Sequence, residues 1–329
     1  MAGALVSGAL AEQFLALHGW SGARRIPLTG DASNRCYVRL VRGGETALLA
    51  QSPADGLAAE FIAIAEILTS IGLSAPRIIA AEPAQGLILQ EDFGDETFTA
   101  LLGSGVEVAP LYCLATNALI HLHQQFAPKT RLPVFDTQRF LEQTMIFCDH
   151  GPGQTDNPLK RSKFKDAWRD PLEQATSVPQ SLLLRDFHAG NLIHLPKRPA
   201  VKACGIIDFQ DAGTGPVTYD LASLLQDARW TVPHQLAVDC LTTYTRAFPD
   251  MDRNTFDISY AVMAAQRHVR VIAVFHRLAE QGKPDYLVHM PHLWRLLVAM
   301  FAHPALEDVA AWFEAHLPTA VQIRMHGGQ

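Results

Sequence analysis

A chain of 329 residues is too long for one small core and is expected to divide into two lobes. With 48% hydrophobic and 18% charged residues it reads as an ordinary well-buried globular protein, not a disordered one. Its net charge of -6 speaks against a nucleic-acid partner, which would need a basic face, and the run PLKRSKFK at 158–165 reads as solvated surface.

In chain order, MAGALVSGALAEQFLALHGW lacks a basic leading region and is interrupted by Glu12, so a first helix is expected rather than a signal peptide. Residues 24–51 carry short alternating runs, CYVRL and TALLAQ, joined by VRGGE, and predict paired strands. GLAAEFIAIAEILTSIG has apolar residues at three- and four-residue intervals and predicts a helix with Gly72 as its C-cap. RIIAAEPAQGLILQEDFGD then predicts two strands about a turn at Pro83 to Gly86. Beyond residue 94 amphipathic helical segments dominate, apart from the stretches around 182–195 and 201–213. The expected class is α+β: a small β-rich N-lobe over 1–93, a hinge about 90–95, and a larger mainly helical C-lobe over 94–329. Apolar segments are broken by runs such as QRHVR at 266–270, so no membrane span is expected. Five scattered cysteines without metal-ligand spacing fit reduced thiols in a cytoplasm, and no obligate protein partner is evident.

The chemistry concentrates in LLLRDFHAGNLIHL, residues 182–195. A carboxylate just after a buried strand is costly unless something needs it there. NLIHL and VKACGIID predict two strands joined by PKRPA. Paired antiparallel, they would set Asn191 beside Asp208, with Asp186 just upstream. An amide oxygen plus a carboxylate suits Mg²⁺, which keeps waters and shares its sites with phosphates. The second carboxylate, held off the metal, could accept a proton from a hydroxyl nucleophile. Any one of these residues alone is most often a turn residue or a cap. Cap chemistry gives no reason for the whole set, D-x-x-x-x-N followed by a hairpin and I-I-D-F, and the set favours phosphoryl transfer.

RDFHAGN followed by GIIDFQDAGTGPVTYDLASLL resembles the aminoglycoside phosphotransferase family, whose fold is related to protein kinases. The resemblance implies a protein-kinase-like fold, ATP and Mg²⁺ as cofactors, and a small-molecule hydroxyl as acceptor. It makes Asp186 the catalytic base, places His188 where protein kinases have a lysine near the transferred phosphate, and makes Asn191 and Asp208 the metal ligands. Asp220 in YDLASLL would buttress the catalytic loop; Asp211 fits a simple turn as well as any supporting role. LTGDASNRCYVRL at 28–40 resembles the strand–turn–strand that covers nucleotide phosphates, with Gly30, Asp31, Ser33, Asn34 and Arg35 as candidate contacts. LILQEDFGD at 87–95 resembles the adenine-binding hinge segment, which brings in Gln90, Glu91 and Phe93.

One departure matters. Kinase-like folds place a lysine on the third strand, paired to a helix glutamate, whereas here that strand reads TALLAQSP. Glu60 is available on the helix; either Arg35 or Arg39 supplies the charge, or the phosphates are held by backbone and metal alone. Together with LPVFDTQRFLEQTMIF and AAQRHVRVIAVFHRLAEQGKPDYLVHMPHLWRLL, this lysine-free strand resembles the bacterial N-acetylmuramate/N-acetylglucosamine anomeric kinases of cell-wall recycling. For the second of those stretches a core helix with a polar face is the plain alternative. Its segment 257–303 carries Arg267, Arg270, Arg277, Lys283 and Arg295 against Asp257, Glu280 and Asp285, which suits a neutral or carboxylate-bearing amino sugar better than a polycation. Three functions stay open: a sugar 1-kinase, a kinase for aminoglycosides or another small alcohol, and a catalytically silent nucleotide-binding protein.

Overall fold

A computed structural model describes residues 8–28, 35–52, 57–127, 131–152 and 154–317. The first elements in chain order are α1 (Gly8–Leu17), β1 (Arg24–Leu28), β2 (Cys36–Arg42), β3 (Glu45–Gln51), α2 (Leu57–Ser70), β4 (Ile78–Glu82) and β5 (Leu87–Glu91). They are followed by α3 (Phe98–Gly103), α4 (Val108–Gln125), α5 (Thr137–His150), α6 (Pro158–Ala175), β6 (Gln180–Leu183), β7 (Leu192–His194) and β8 (Cys204–Ile206). The chain finishes with β9 (Gly213–Pro216), α7 (Thr218–Leu225), α8 (His234–Arg246), α9 (Arg253–Glu280), α10 (Met290–Phe301) and α11 (Glu307–His316). Two compact units result: one runs to Glu107 and takes in Gly190–Asp211, and the other comprises Val108–Ala189 and the chain from Ala212 onward.

In the first unit five antiparallel strands are ordered β1-β2-β3-β5-β4. Strand alternation divides the sheet into two faces. Leu40, Ala47, Leu49, Leu87 and Leu89 form one, covered by Phe14 and Leu15 of α1 and by Trp20. The opposite face carries the cross-strand rows Tyr37–Ala50–Ile88 and Arg39–Leu48–Gln90. As its spacing predicts, α2 stops at Gly72: φ is 88°, its N–H donates to Thr69 C=O, and the Leu73 N–H reaches back to Leu68 C=O. That double bond is the Schellman arrangement, which needs a left-handed residue. The β7–β8 hairpin forms as expected, with Leu192 opposite Ile206, and joins this unit through the Ile206 N–H donated to Ser74 C=O.

The second unit is helical around α9, whose start is capped by Asp252 accepting from the Thr255 N–H. Phe147, Phe164, Trp168, Trp294 and Phe313 are buried in its core. β6 pairs antiparallel with β9, a strand absent from the sequence expectation. Its sequence GTGP has no apolar alternation. Here the glycines serve close approach: a Cβ on Gly213 would lie 2.3 Å from Pro133 O, and one on Gly215 2.5 Å from Leu183 Cδ1. Among the described residues no single helix is long and apolar enough to cross a membrane.

Candidate active site

β6 delivers the chain to the catalytic loop, and two buried carboxylates hold that loop. Asp220, in the first turn of α7, accepts the Leu184 N–H at 2.6 Å and the Arg185 N–H at 2.8 Å. Arg185 is left-handed, with φ 74°, a conformation that costs a residue with a side chain about 1–3 kcal/mol. The two bonds from Asp220 hold it there, immediately before Asp186. Burial pushes the Asp220 carboxyl up to about 7, against the pull of those N–H donors. Asp220 therefore buttresses the loop, as the family resemblance implied. Asp227 adds a second tie, accepting the Ala189 N–H at 3.3 Å and the Arg229 N–H at 2.9 Å. Nothing but a D-x-R turn after α7 marks Asp227 and Arg229 in the sequence, and neither was anticipated.

Asp186 is half-buried. Burial works to raise its carboxyl, but Arg270, with His188, Arg185 and Arg267, outweighs it and holds the group below the usual carboxylate range. Arg267 and Arg270 stand three residues apart on α9 and so share a face. Burial pushes His188 down to about 4, with Arg229 and Arg267 lowering it against Asp227 and Asp186. Arg229 Nη1 lies 3.3 Å from His188 Nε2. Arginine cannot accept, so His188 Nε2 takes the bond and its proton sits on Nδ1. At neutral pH His188 is an uncharged imidazole, and the fixed positive charge beside it belongs to Arg229. The rest of the QRHVR segment is the core helix with a polar face that its pattern allows: Gln266 donates to Thr144 Oγ1 at 3.2 Å and His268 pairs with Gln226 at 2.9 Å.

The other candidate residues lie in the first unit. Asn191 ends a 3-10 turn, and its C=O accepts the Ile207 N–H at 3.1 Å, so the hairpin brings Asn191 and Asp208 together. Asn191 Nδ2 lies 3.4 Å from Asp208 Oδ2, and Gln210 donates to Asp208 Oδ1 at 2.9 Å. Asp208 is also left-handed, with φ 61°, which aspartate tolerates better than most residues. The next residue, Phe209, stacks on Phe61 of α2 with centroids 4.7 Å apart. Among the described residues no cluster of three His, Cys, Asp or Glu side chains could hold a metal. A carboxylate beside an amide oxygen instead fits Mg²⁺ that fills its remaining positions with water and phosphate.

On the sheet face opposite α1, Arg35 hydrogen-bonds the Tyr37 hydroxyl and lines a small cavity with Tyr37, Ala50, Phe61, Ile88 and Gln90. Asp208 acts electrostatically on the same hydroxyl. Arg39 is committed elsewhere: its Nε lies 2.7 Å from Asp92 Oδ2, and its two terminal nitrogens each lie 2.7 Å from Asp95. Of the two arginines, Arg35 is the one placed beneath the lysine-free third strand. Gln90 is buried with its Oε1 unpartnered among the described residues. Glu91 pairs with Arg198, whose guanidinium covers the Phe93 ring at 5.0 Å. Glu60 is exposed on α2 and makes no ion pair among the described residues. Gly30, Asp31, Ser33 and Asn34 lie outside the described residues.

The phosphotransferase enzyme family profile matches residues 24–255. An N-acetylmuramate/N-acetylglucosamine kinase of Caulobacter vibrioides is 33% identical, over 93% of this chain and 95% of that protein. A protein of the same name in Pseudomonas aeruginosa is 30% identical over 91% of each chain. Among solved structures, the choline kinase LicA of Streptococcus pneumoniae superposes with a TM-score of 0.64 at 11% identity, covering 90% of this chain and 99% of its own. The α+β fold is thus the protein-kinase-like one, and the protein is a small-molecule kinase. On a match covering well over half of its length, the chain belongs to the phosphotransferase enzyme family.

Proposed function

We propose that this kinase transfers the γ-phosphoryl group of ATP to the anomeric C1 hydroxyl of N-acetylmuramate and N-acetylglucosamine, in the cytoplasm, as a step of cell-wall recycling. The observation that carries the choice of acceptor is the positive charge that Arg270, Arg185 and Arg267 bring to bear on Asp186, two of them on one face of α9. A polycationic aminoglycoside or a choline-like cation would be repelled there, whereas a neutral or anionic sugar would not. The names of the relatives from Caulobacter vibrioides and Pseudomonas aeruginosa agree with that choice.

In this reading Asp186 orients the C1 hydroxyl. The hydroxyl oxygen bonds to the γ-phosphorus as the bond to the bridging oxygen of ADP breaks, and the hydroxyl proton passes to Asp186. A carboxylate held below its usual range is a weak base, and an anomeric hydroxyl, more acidic than an ordinary alcohol, is matched to it. Neutral His188, positioned by Arg229, stands on the same loop. Asn191 and Asp208 would hold Mg²⁺, which when bound neutralises phosphate charge. Arg35, steadied by Tyr37, takes the place of the third-strand lysine. Gly30, Asp31, Ser33 and Asn34 would cover the phosphates, and the segment Gln90 to Phe93 would meet the adenine edge. Glu60 is exposed and makes no ion pair among the described residues, so no role in holding the phosphates is assigned to it. A panel assay of ATP consumption against amino sugars, aminoglycosides and small alcohols tests the reading. Turnover should appear with the two N-acetylated sugars, and preferred turnover of an aminoglycoside or choline would refute it.

A further inference from the structure

We propose that Arg229 is the specificity-determining cation of the acceptor site, the group that binds a carboxylate on the sugar and so separates acidic from neutral N-acetylated sugars. The inference rests on the acceptor reading above. N-acetylmuramate and N-acetylglucosamine share the C1 hydroxyl and the acetamido group. They differ in the lactyl ether on C3, which carries a carboxylate. A kinase acting on both therefore needs a cation close to the catalytic loop but not spent on the loop's own carboxylates.

Arg267 and Arg270, on one face of α9, both act electrostatically on Asp186. Arg229 is placed differently: three contacts of its own and one made by the neighbouring Asp227 carbonyl fix it. Its backbone N–H donates to Asp227, whose other carboxylate oxygen accepts the Ala189 N–H, three residues beyond Asp186. His292 Nε2 lies 3.0 Å from the Asp227 carbonyl oxygen and secures the same segment from α10. The guanidinium lies over the Phe275 ring, 5.7 Å from its centroid, and one terminal nitrogen reaches His188. The residue is nevertheless exposed, so the guanidinium is held in register with the catalytic loop while part of it faces solvent. Planar guanidinium and carboxylate pair through two parallel hydrogen bonds, and a pre-positioned donor loses little entropy in doing so. Next to it Trp230 carries an indole N–H that is buried and unpartnered among the described residues, a donor suited to a sugar hydroxyl or an acetamido oxygen. Phe275 is buried and packs against Tyr286 at 5.1 Å, so the ring beneath the guanidinium is itself fixed by the core.

The test compares both sugars with the full-length protein and its Arg229→Gln and Arg229→Lys variants, taking kcat and KM separately and checking each variant's thermal midpoint. With Arg229→Gln, kcat/KM for N-acetylmuramate should fall about 10–100-fold further than for N-acetylglucosamine, the range for removing one charge-assisted hydrogen-bonded pair. The difference should lie in KM, and Arg229→Lys, which keeps the charge, should recover part of it. Equal losses for the two sugars would overturn the proposal and make Arg229 a positioning group for His188. Should Arg229→Gln fail to fold, Arg229→Lys decides alone: an unaltered ratio between the sugars would overturn the proposal. A wild-type enzyme that phosphorylates neither sugar removes the acceptor reading and this inference with it, and is thereby distinct from a failure of Arg229 alone.

Discussion

The catalytic loop of the second unit and the Asn191–Asp208 hairpin end of the first are built on opposite plans. Both contain a left-handed residue with a side chain, Arg185 in one and Asp208 in the other. At the loop, two buried carboxylates take four backbone N–H groups between them, and arginines act electrostatically on Asp186. At the hairpin end, the side-chain amides of Gln210 and Asn191 lie 2.9 and 3.4 Å from the Asp208 carboxylate. A base must be aimed before the substrate arrives, so its cost is met in the folded chain. A metal ligand must give up its neighbours when the ion comes, and weak amide contacts are easily exchanged. In the proposed reading, rigidity thus sits where a proton would be taken and adaptability where an ion would be bound.

That contrast can be broken experimentally. The largest effect is expected from Asp208→Ala, which removes the one carboxylate of the pair: Mg²⁺-dependent turnover should vanish while the circular dichroism spectrum stays native. Persistent activity in a folded variant would end the metal assignment. Asp186→Asn keeps the shape and should cost kcat about 10²–10⁴-fold, near the lower end for an acidic hydroxyl, with ATP binding little changed. Weaker binding of ATP·Mg²⁺ at normal kcat would instead mark Asp186 as a metal ligand.

Stability should depend on pH through the second unit. Burial depresses His188 to about 4 and His123 to about 3, and holds His268 well below its usual value. Histidines depressed in the folded state bind fewer protons there than in the unfolded chain. Their contribution is complete above pH 6.5 and is lost as pH falls toward the folded values. Asp220, raised to about 7, works in the opposite sense over the same window. With three histidines against one aspartate, unfolding free energy should drop by roughly 3 kcal/mol between pH 7.5 and 5, each pKa unit being worth about 1.4 kcal/mol. A urea midpoint that is flat or rising across that interval would show that these histidines are not buried neutral.

The smallest effect concerns Arg35. Arg35→Met should raise KM for ATP about 10-fold, a single charge-assisted contact, and leave kcat nearly as it was. Arg39→Met should do less, because its guanidinium is taken up by Asp92 and Asp95. The reverse order of the two variants would reassign the phosphate cation.

The legible features are those whose chemistry is local in the chain. The five-residue step from Asp186 to Asn191, the hairpin carrying Asp208 and the Gly72 cap follow from spacing or turn chemistry, while the buttress Asp220 was legible only through the family resemblance. What escaped is held by contacts distant in sequence. β9 is a strand only because Gly213 and Gly215 admit Pro133 and Leu183 at close range. Arg229 acquires meaning only through Asp227, His188 and Phe275. The choice between Arg35 and Arg39 likewise could not be read from either residue. It depends on Asp92 and Asp95, more than fifty positions on, occupying one of them.

The position of the new phosphate tests the account most directly. After incubation with ATP·Mg²⁺ and N-acetylglucosamine, the product should have lost its reducing end, show phosphorus coupled to the anomeric proton in NMR spectra, and release phosphate in mild acid. A product that still reduces, with phosphate on any hydroxyl other than C1, would contradict it.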